Sequence, residues 1–243
     1  DATTWQLAAS YQLSRQTRLR GSVGTGSKVP TFTERYGFYE DYFVGNPDLK
    51  PESSQGWELG VDTHWSDRQY ELQLAYFDQD LQDEIDGFVY DPESFVFTAR
   101  NKDTDSKRSG FEAIFDAHLG RSLTLGVSYT YTDATEKDAA GQSVREVRRP
   151  KHMASMAANY YFSNDRGNLN LNINYSGTQQ DVFFSPQTYV SELVELDAYT
   201  VVDLATAWKL TPSLELTGRI TNLLDEEYEE ILGFVRPGRA IYA

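Results

Sequence analysis

Cysteine is absent from the 243 residues, which excludes a disulfide framework, a thiolate metal site and a thiol nucleophile. Histidine is nearly so, with three residues scattered at His64, His118 and His152. Basic charge is also scarce: 22 Lys and Arg stand against 37 Asp and Glu, a net charge of −15. That balance argues against a nucleic-acid partner, whose phosphates must be neutralised by Lys and Arg. No run of 18 or more uncharged apolar residues occurs, so a membrane-spanning helix is excluded. A membrane-spanning β-barrel is not, because only alternate residues of its strands meet lipid and its mean hydropathy looks soluble. No Gly-rich phosphate loop, metal-binding His spacing or nucleophile elbow is present, so neither an enzyme nor a bound cofactor is expected.

Aromatic residues are plentiful: 4 Trp, 16 Tyr and 13 Phe make up 14% of the chain. Such an excess suits membrane-interface girdles or a binding surface. The start, Asp1-Ala2-Thr3-Thr4-Trp5, has neither the basic nor the apolar region of a targeting signal and reads as the middle of a longer sequence.

The dominant pattern has period two. From Ser122 to Thr132 one face carries Leu123, Leu125, Val127, Tyr129 and Tyr131 and the other only small or polar residues, the mark of a strand with one apolar face. From Asn168 to Ser176, Leu169, Leu171, Ile173 and Tyr175 alternate with four Asn, which ordinary strands avoid, so that side is expected to be wet. The same alternation fits residues 5–13, 57–65, 70–76, 111–119, 154–162, 202–210 and 214–220. Residues 18–28 form a weaker, glycine-thinned strand, and 239–243 begin an eleventh.

Arg20, Glu58, Asp62, Glu71, Glu112, Asp116, Asp203, Lys209, Glu215 and Arg219 all fall on the polar face. A lipid-facing Lys or Arg at mid-bilayer costs about 2–4 kcal/mol, so a barrel wall requires this segregation, and a soluble sandwich would show it too. Connections discriminate better. Short ones (14–17, 66–69, 120–122, 163–167, 211–213) alternate without a break with long ones (29–54, 86–106, 133–151, 177–198, 222–238). Outer-membrane barrels put short turns in the periplasm and long loops outside, whereas a sandwich has no reason to put every long loop at one end. All four Trp lie on the apolar faces, with Trp57 and Trp65 bracketing one strand as two girdles would. Eleven strands is an odd count, so the chain is expected to be part of a larger protein.

Several segments carry a resemblance. Gly24 to Phe32, then Gly45-Asn46-Pro47-Asp48-Leu49-Lys50-Pro51-Glu52 and Trp57-Glu58-Leu59-Gly60, resemble the "apt-f", "GNPxLKPE" and "ExG" elements of TonB-dependent outer-membrane receptors. Ser109 to Ala113, Arg148 to His152, Thr221 to Tyr228 and Pro237-Gly238-Arg239 continue the likeness in order. Among subfamilies it looks closest to cobalamin and catechol-siderophore receptors. The resemblance implies an all-β fold, the last eleven strands of a 22-stranded antiparallel transmembrane barrel closed by an N-terminal plug. Residues 1–243 are then the C-terminal part of that barrel, with the plug, the TonB box and the first barrel half absent and the final strand cut short. It further implies the outer membrane of a Gram-negative bacterium, contacts with lipid and lipopolysaccharide, energy from TonB through the plug, a monomeric full receptor, and a ferric-siderophore or cobalamin cargo. The alternatives are a passive porin or adhesin barrel and a soluble carbohydrate-binding β-domain.

Ligand capture is expected on the long loops. The candidates are Tyr36, Phe38, Tyr39 and Tyr42 in the first, Phe88 and Tyr90 in the second, and Phe183, Phe184 and Tyr189 in the fourth, since rigid aromatic surface with a few polar groups grips a large flat ligand. Phe43, Phe95 and Phe97 belong to the same loop clusters, and the competing reading for all of these rings is that they pack the loops together or form the upper girdle. No His lies between Pro30 and Asn46, where haem receptors of the family carry one, which counts against haem. The acidic run Asp225, Glu226, Glu227, Glu229, Glu230 could hold Ca²⁺ but is expected to be a solvated loop. The basic run Arg145, Arg148, Arg149, Lys151 is expected to be a solvated hinge, with a contact to a ligand carboxylate or lipid phosphate as the alternative. Asn46, Pro47, Pro51 and Glu52 read as structural.

Overall fold

The computed structural model describes residues 3–39, 41–138, 141–187 and 191–243. Alternating apolar and polar side chains give β1 (Gln6–Gln12), β2 (Thr17–Lys28), β3 (Glu52–Trp65) and β4 (Tyr70–Gln82), with the short helix α1 (Phe32–Tyr36) between β2 and β3. There follow β5 (Ile85–Asp91), β6 (Val96–Asn101), β7 (Ser106–Leu119), β8 (Leu123–Lys137), β9 (Ser143–Arg145), β10 (His152–Phe162) and β11 (Gly167–Ser176). The last are β12 (Gln179–Phe184), β13 (Ser191–Leu196), β14 (Tyr199–Thr211), β15 (Leu214–Thr221) and β16 (Ala240–Tyr242). Eleven of them form one antiparallel wall in the order β1-β2-β3-β4-β7-β8-β10-β11-β14-β15-β16, with β9 added to β8.

These are the eleven strands that period two indicates, joined by the same strict alternation of short turns and long connections. Two differences stand out. The wall is taller than the apolar pattern suggests, because β3 starts five residues before Trp57, β4 runs six beyond Tyr76, and β7 and β8 extend likewise. Along these extensions apolar residues are sparse and the band-facing side is polar, with Phe77 and Leu81 of β4 on the opposite face, so hydropathy carries little signal while backbone pairing continues. The long connections are also folded: β5–β6 and β12–β13 are separate two-stranded sheets, and α1 is closed by a capping box between Thr31 and Glu34.

Register fixes which side chains share a face. Trp65, Tyr70 and Phe115 cluster on the apolar face beside the short turns, with Trp65 and Tyr70 stacked at 5.5 Å. Trp57 and Tyr76 meet at 5.5 Å toward the long loops, with Phe111 and Tyr129 close by on the same face. Trp57 and Trp65 are eight residues apart, about 26 Å along the strand, a hydrocarbon core's worth of wall. From the Trp57 level upward the same face turns charged, with Asp78 opposite Trp57 and Lys107 and Asp133 on the strands beyond, and Lys107 pairs with Asp78 at 3.3 Å. The apolar band therefore ends where its aromatic girdle ends.

The wall is one layer thick and has almost no interior. Leu7, Tyr11, Leu59, Leu216 and Ile241 are all more than half exposed, the reverse of a soluble core and the arrangement lipid requires. On the polar face Arg20 bonds Glu58 and Asp62, Arg18 bonds Asp62 at 2.6 Å, and Asn170 donates to Asn159. No helix among the described residues is long and apolar enough to cross a membrane, and the strands do the crossing.

Candidate functional site

The deepest apolar packing lies in the long loops. Phe43 is 1% exposed and forms, with Leu49 and Ala99, the hydrophobic cluster against which Ile85 and Phe97 pack. Backbone pairing brings the first loop (29–51) to the second (83–105): Val44 N–H donates to Phe97 O at 2.9 Å and Phe97 N–H to Tyr42 O at 2.9 Å. Asn46 Nδ2 donates to Ala99 O at 3.0 Å, and Asn101 Nδ2 to Lys50 O and Asp83 O. Glu52 receives Lys28 and the Ile85 N–H. The "GNPxLKPE" element is thus the splice between two loops, as its structural reading anticipates. Gly45 is required there, since a Cβ would overlap the backbone nitrogens of Gly37 and Tyr36.

This splice gathers the aromatics. Phe38 stacks on Phe43 at 5.1 Å, Phe43 on Phe88 at 5.8 Å and Phe88 on Phe97 at 4.2 Å, all within 13° of parallel. Tyr42 tilts against Phe88 and Phe97, and Tyr90 meets Phe97 edge-on at 5.5 Å. Phe38, Tyr42, Phe88 and Tyr90 keep about half their surface open, while Tyr36 and Tyr39 are largely exposed. Five of the six first- and second-loop candidates thus converge on one stack, and Tyr36 packs instead on Phe32 at 4.8 Å within α1. The inner rings, Phe43 and Phe97, belong to the same loop clusters in the sequence, and the structure gives them the packing role on which the outer rings depend.

The fourth-loop candidates sit elsewhere. Phe183 and Phe184 lie on β12, in its own small sheet, 41% and 56% exposed, and Tyr189 falls outside the described residues. What β12 contributes centrally is Asp181, 0% exposed. Its carboxylate accepts from Arg148 Nε at 2.9 Å, Val182 N–H at 2.8 Å and Leu232 N–H at 2.8 Å. Burial alone would raise its pKa, but the Leu232 and Val182 N–H groups and the Arg148 guanidinium outweigh that and hold it below the ordinary carboxylate value. One side chain therefore ties the third loop (138–151), the fourth (177–198) and the fifth (222–239), helped by Gln179 Nε2 donating to Glu230 O.

The basic run is accordingly not a solvated hinge. Arg148 holds Asp181, Arg149 lies 3.6 Å from Glu146, Lys151 is 2.6 Å from Asp133, and Arg145 donates to Arg149 O and Thr178 O. Glu146, 7% exposed, also accepts a forked pair from Arg108, which reaches Glu84 at 3.0 Å. Two ion clusters thus meet at adjacent residues of the third loop: Glu84, Arg108, Glu146 and Arg149 on one side, and Arg148 with Asp181 on the other. The acidic run is spent on local closure: Asp225 takes the Arg239 N–H, Glu229 the Gly233 N–H and Glu230 the Arg236 guanidinium. Among the described residues no group of three or more His, Asp or Glu is arranged to hold a metal. Asn222, buried, bonds Glu226 and Pro237 and joins the segments Thr221 to Tyr228 and Pro237 to Arg239.

Comparison with known proteins agrees with this architecture. Residues 1–223 match the family model described as TonB dependent receptor-like, beta-barrel. Over 234 residues the chain is 31% identical to the vitamin B12 transporter BtuB of Photobacterium profundum, covering 93% of this chain and 34% of that one. The chain therefore spans about a third of that relative's length. Its fold superposes on the ferripyoverdine receptor of the outer membrane of Pseudomonas aeruginosa with a TM-score of 0.74 at 18% identity, covering 97% of this chain and 31% of the receptor. The ferric-catecholate import receptor Fiu from K12 E. coli gives the same TM-score and identity, over 98% and 34%. Lipid-facing band, one-sided loops and sequence match thus lead to one assignment: the chain belongs to the TonB-dependent receptor family of the outer membrane, as part of its β-barrel.

Proposed function

We propose that this chain is the C-terminal, ligand-gripping part of a receptor that takes up a scarce metal chelate or cobalamin, with TonB supplying energy through a plug domain elsewhere in the receptor. The observation that carries the reading is the half-open aromatic stack where the first and second loops meet. Its inner rings are locked by packing and its outer rings face solvent, so a flat or ring-bearing ligand would meet a preorganised surface and cost little side-chain entropy on binding. Relatives named for vitamin B12, ferripyoverdine and ferric catecholate support that chemical class.

The test uses the full receptor. Replacing Tyr36, Tyr39 and Tyr42 together with Ala should weaken binding about tenfold or more, read by titration against a panel of ferric siderophores and cyanocobalamin. Unchanged affinity for the ligand that binds would remove the site. A passive pore would instead conduct small solutes without saturable binding, and liposome swelling separates the two.

A further inference from the structure

The molecule's negative charge is concentrated at one end. The five long loops hold 22 Asp and Glu against 10 Lys and Arg, whereas the five short turns hold Arg15, Arg68, Arg121 and Arg166 against Asp67 and Asp165. The loop end is therefore strongly acidic and the turn end mildly basic. All ten loop cations are also committed to the fold. Eight pair with carboxylates, among them Lys50 with Asp83 at 3.6 Å and Arg100 with Asp91 at 3.1 Å. The other two, Arg35 and Arg145, donate to backbone carbonyls. Among the described residues the loops thus keep no uncommitted cation for an anionic ligand.

Carboxylates, by contrast, are left over beside the aromatic stack. Asp41 directly precedes Tyr42, Asp86 accepts the Phe88 N–H at 3.3 Å, and Glu93 lies in the turn between β5 and β6. Among the described residues none of the three has an ion-pair partner. The imbalance extends beyond the stack. A recess of about 770 Å³ between the fourth and fifth loops is lined by Glu195, Asp197, Glu226, Glu227 and Glu229, with no Lys or Arg in its lining. Unpaired charge of one sign around a concave mouth focuses the field and changes arrival rates by about ten- to a thousandfold at low ionic strength, in favour of cations here. An anionic ligand that did arrive would be held against like charge with no cation to offset it.

We infer that this receptor selects its cargo by charge: the stack takes a neutral or cationic metal complex and refuses a polyanionic one such as a ferric tris-catecholate. Ring stacking supplies a grip common to every flat or ring-bearing complex, and the carboxylates of Asp41, Asp86 and Glu93 decide among them. This rests on the receptor reading and narrows it.

The experiment uses the full receptor purified in neutral detergent, with Tyr39→Cys as a reporter at the rim of the stack and Ser213→Cys, in an uncharged short turn, as reference. Each is treated with a cationic trimethylammonium-ethyl and an anionic sulfonato-ethyl methanethiosulfonate. At about 10 mM salt the cation-to-anion rate ratio at position 39 should exceed that at position 213 at least about tenfold, and the excess should vanish near 1 M salt. Neutralising the rim with Asp41→Asn, Asp86→Asn and Glu93→Gln together should cut the excess about threefold or more. Equal ratios at the two positions, or an excess that the neutralised rim leaves unchanged, overturn the proposal. The unmodified receptor supplies the second measurement, titration with a trianionic ferric tris-catecholate and with neutral and cationic ferric trihydroxamates. Saturable binding should be confined to the neutral or cationic complexes, and tight binding of the trianion overturns the proposal whatever the rate ratios. The rate ratios involve no cargo, so the expected excess without saturable binding of any complex would remove the functional reading alone.

Discussion

Two loop assemblies crown the same wall, and they are held by opposite chemistry. The first and second loops meet through stacked rings and a small apolar cluster around Phe43. The third, fourth and fifth meet through a buried carboxylate, Asp181, and the guanidinium and N–H groups around it. Apolar packing is non-directional and leaves an aromatic surface that tolerates varied partners. A buried ion with three bonds is directional and fixes one arrangement of three loops. The aromatic assembly is thus suited to touching a ligand, and the ionic one to keeping the loops beside it in register.

Phe43→Ala should have the largest effect. Truncating a buried Phe costs about 3–5 kcal/mol, enough to free Phe38 and Phe88 from each other. Ligand affinity should collapse while hydrogen exchange in loops three to five stays unchanged. Faster exchange in both assemblies would show that the adjacent ion clusters at Arg148 and Arg149 couple them and would break the contrast. Asp181→Asn comes next, at about 1–3 kcal/mol, because it keeps the shape but leaves Arg148 without its counter-ion. The Val182 and Leu232 amides should exchange faster while near-ultraviolet dichroism from the stacked rings holds.

Acid separates the assemblies without mutation. Because the folded pKa of Asp181 lies below the ordinary 3.8, its stabilisation is complete above that value and is lost as pH falls through the lower, folded one. Protease nicking of loops four and five should therefore rise only at strongly acid pH, while the uncharged stack stays closed; loosening already at pH 5 would contradict the assignment. The smallest effect is expected from Tyr39→Ala. That ring is 72% exposed, so stability should move by less than about 0.5 kcal/mol by calorimetry, and any change in affinity should be a fraction of that in the triple variant.

The wall was legible because lipid imposes a strict rule on every second residue. Leu123 to Tyr131 and Leu169 to Tyr175 declare their face at once, and the loop-length alternation declares their direction. Where that constraint stops, above Trp57 and Tyr76, the strands continue with polar residues on the formerly apolar face and become invisible to periodicity. Among the aromatics, composition marks the right loops but does not rank the rings. Phe43 and Tyr42 are neighbours in sequence, and only the pairing of residue 43 with Phe97 decides which is buried. Asp181 is harder still, one acid among 37, in a Gln-Gln-Asp run with no motif. Its three donors come from positions 148, 182 and 232, and no local pattern links them.

Local periodicity and short motifs were enough to set the eleven strands, their faces, the side on which the loops lie and the family. Folding in three dimensions was needed to join the loops into two assemblies and to turn the basic run into cross-loop struts. Those features depend on contacts between residues tens of positions apart, where partner and geometry are set by how the chain closes on itself.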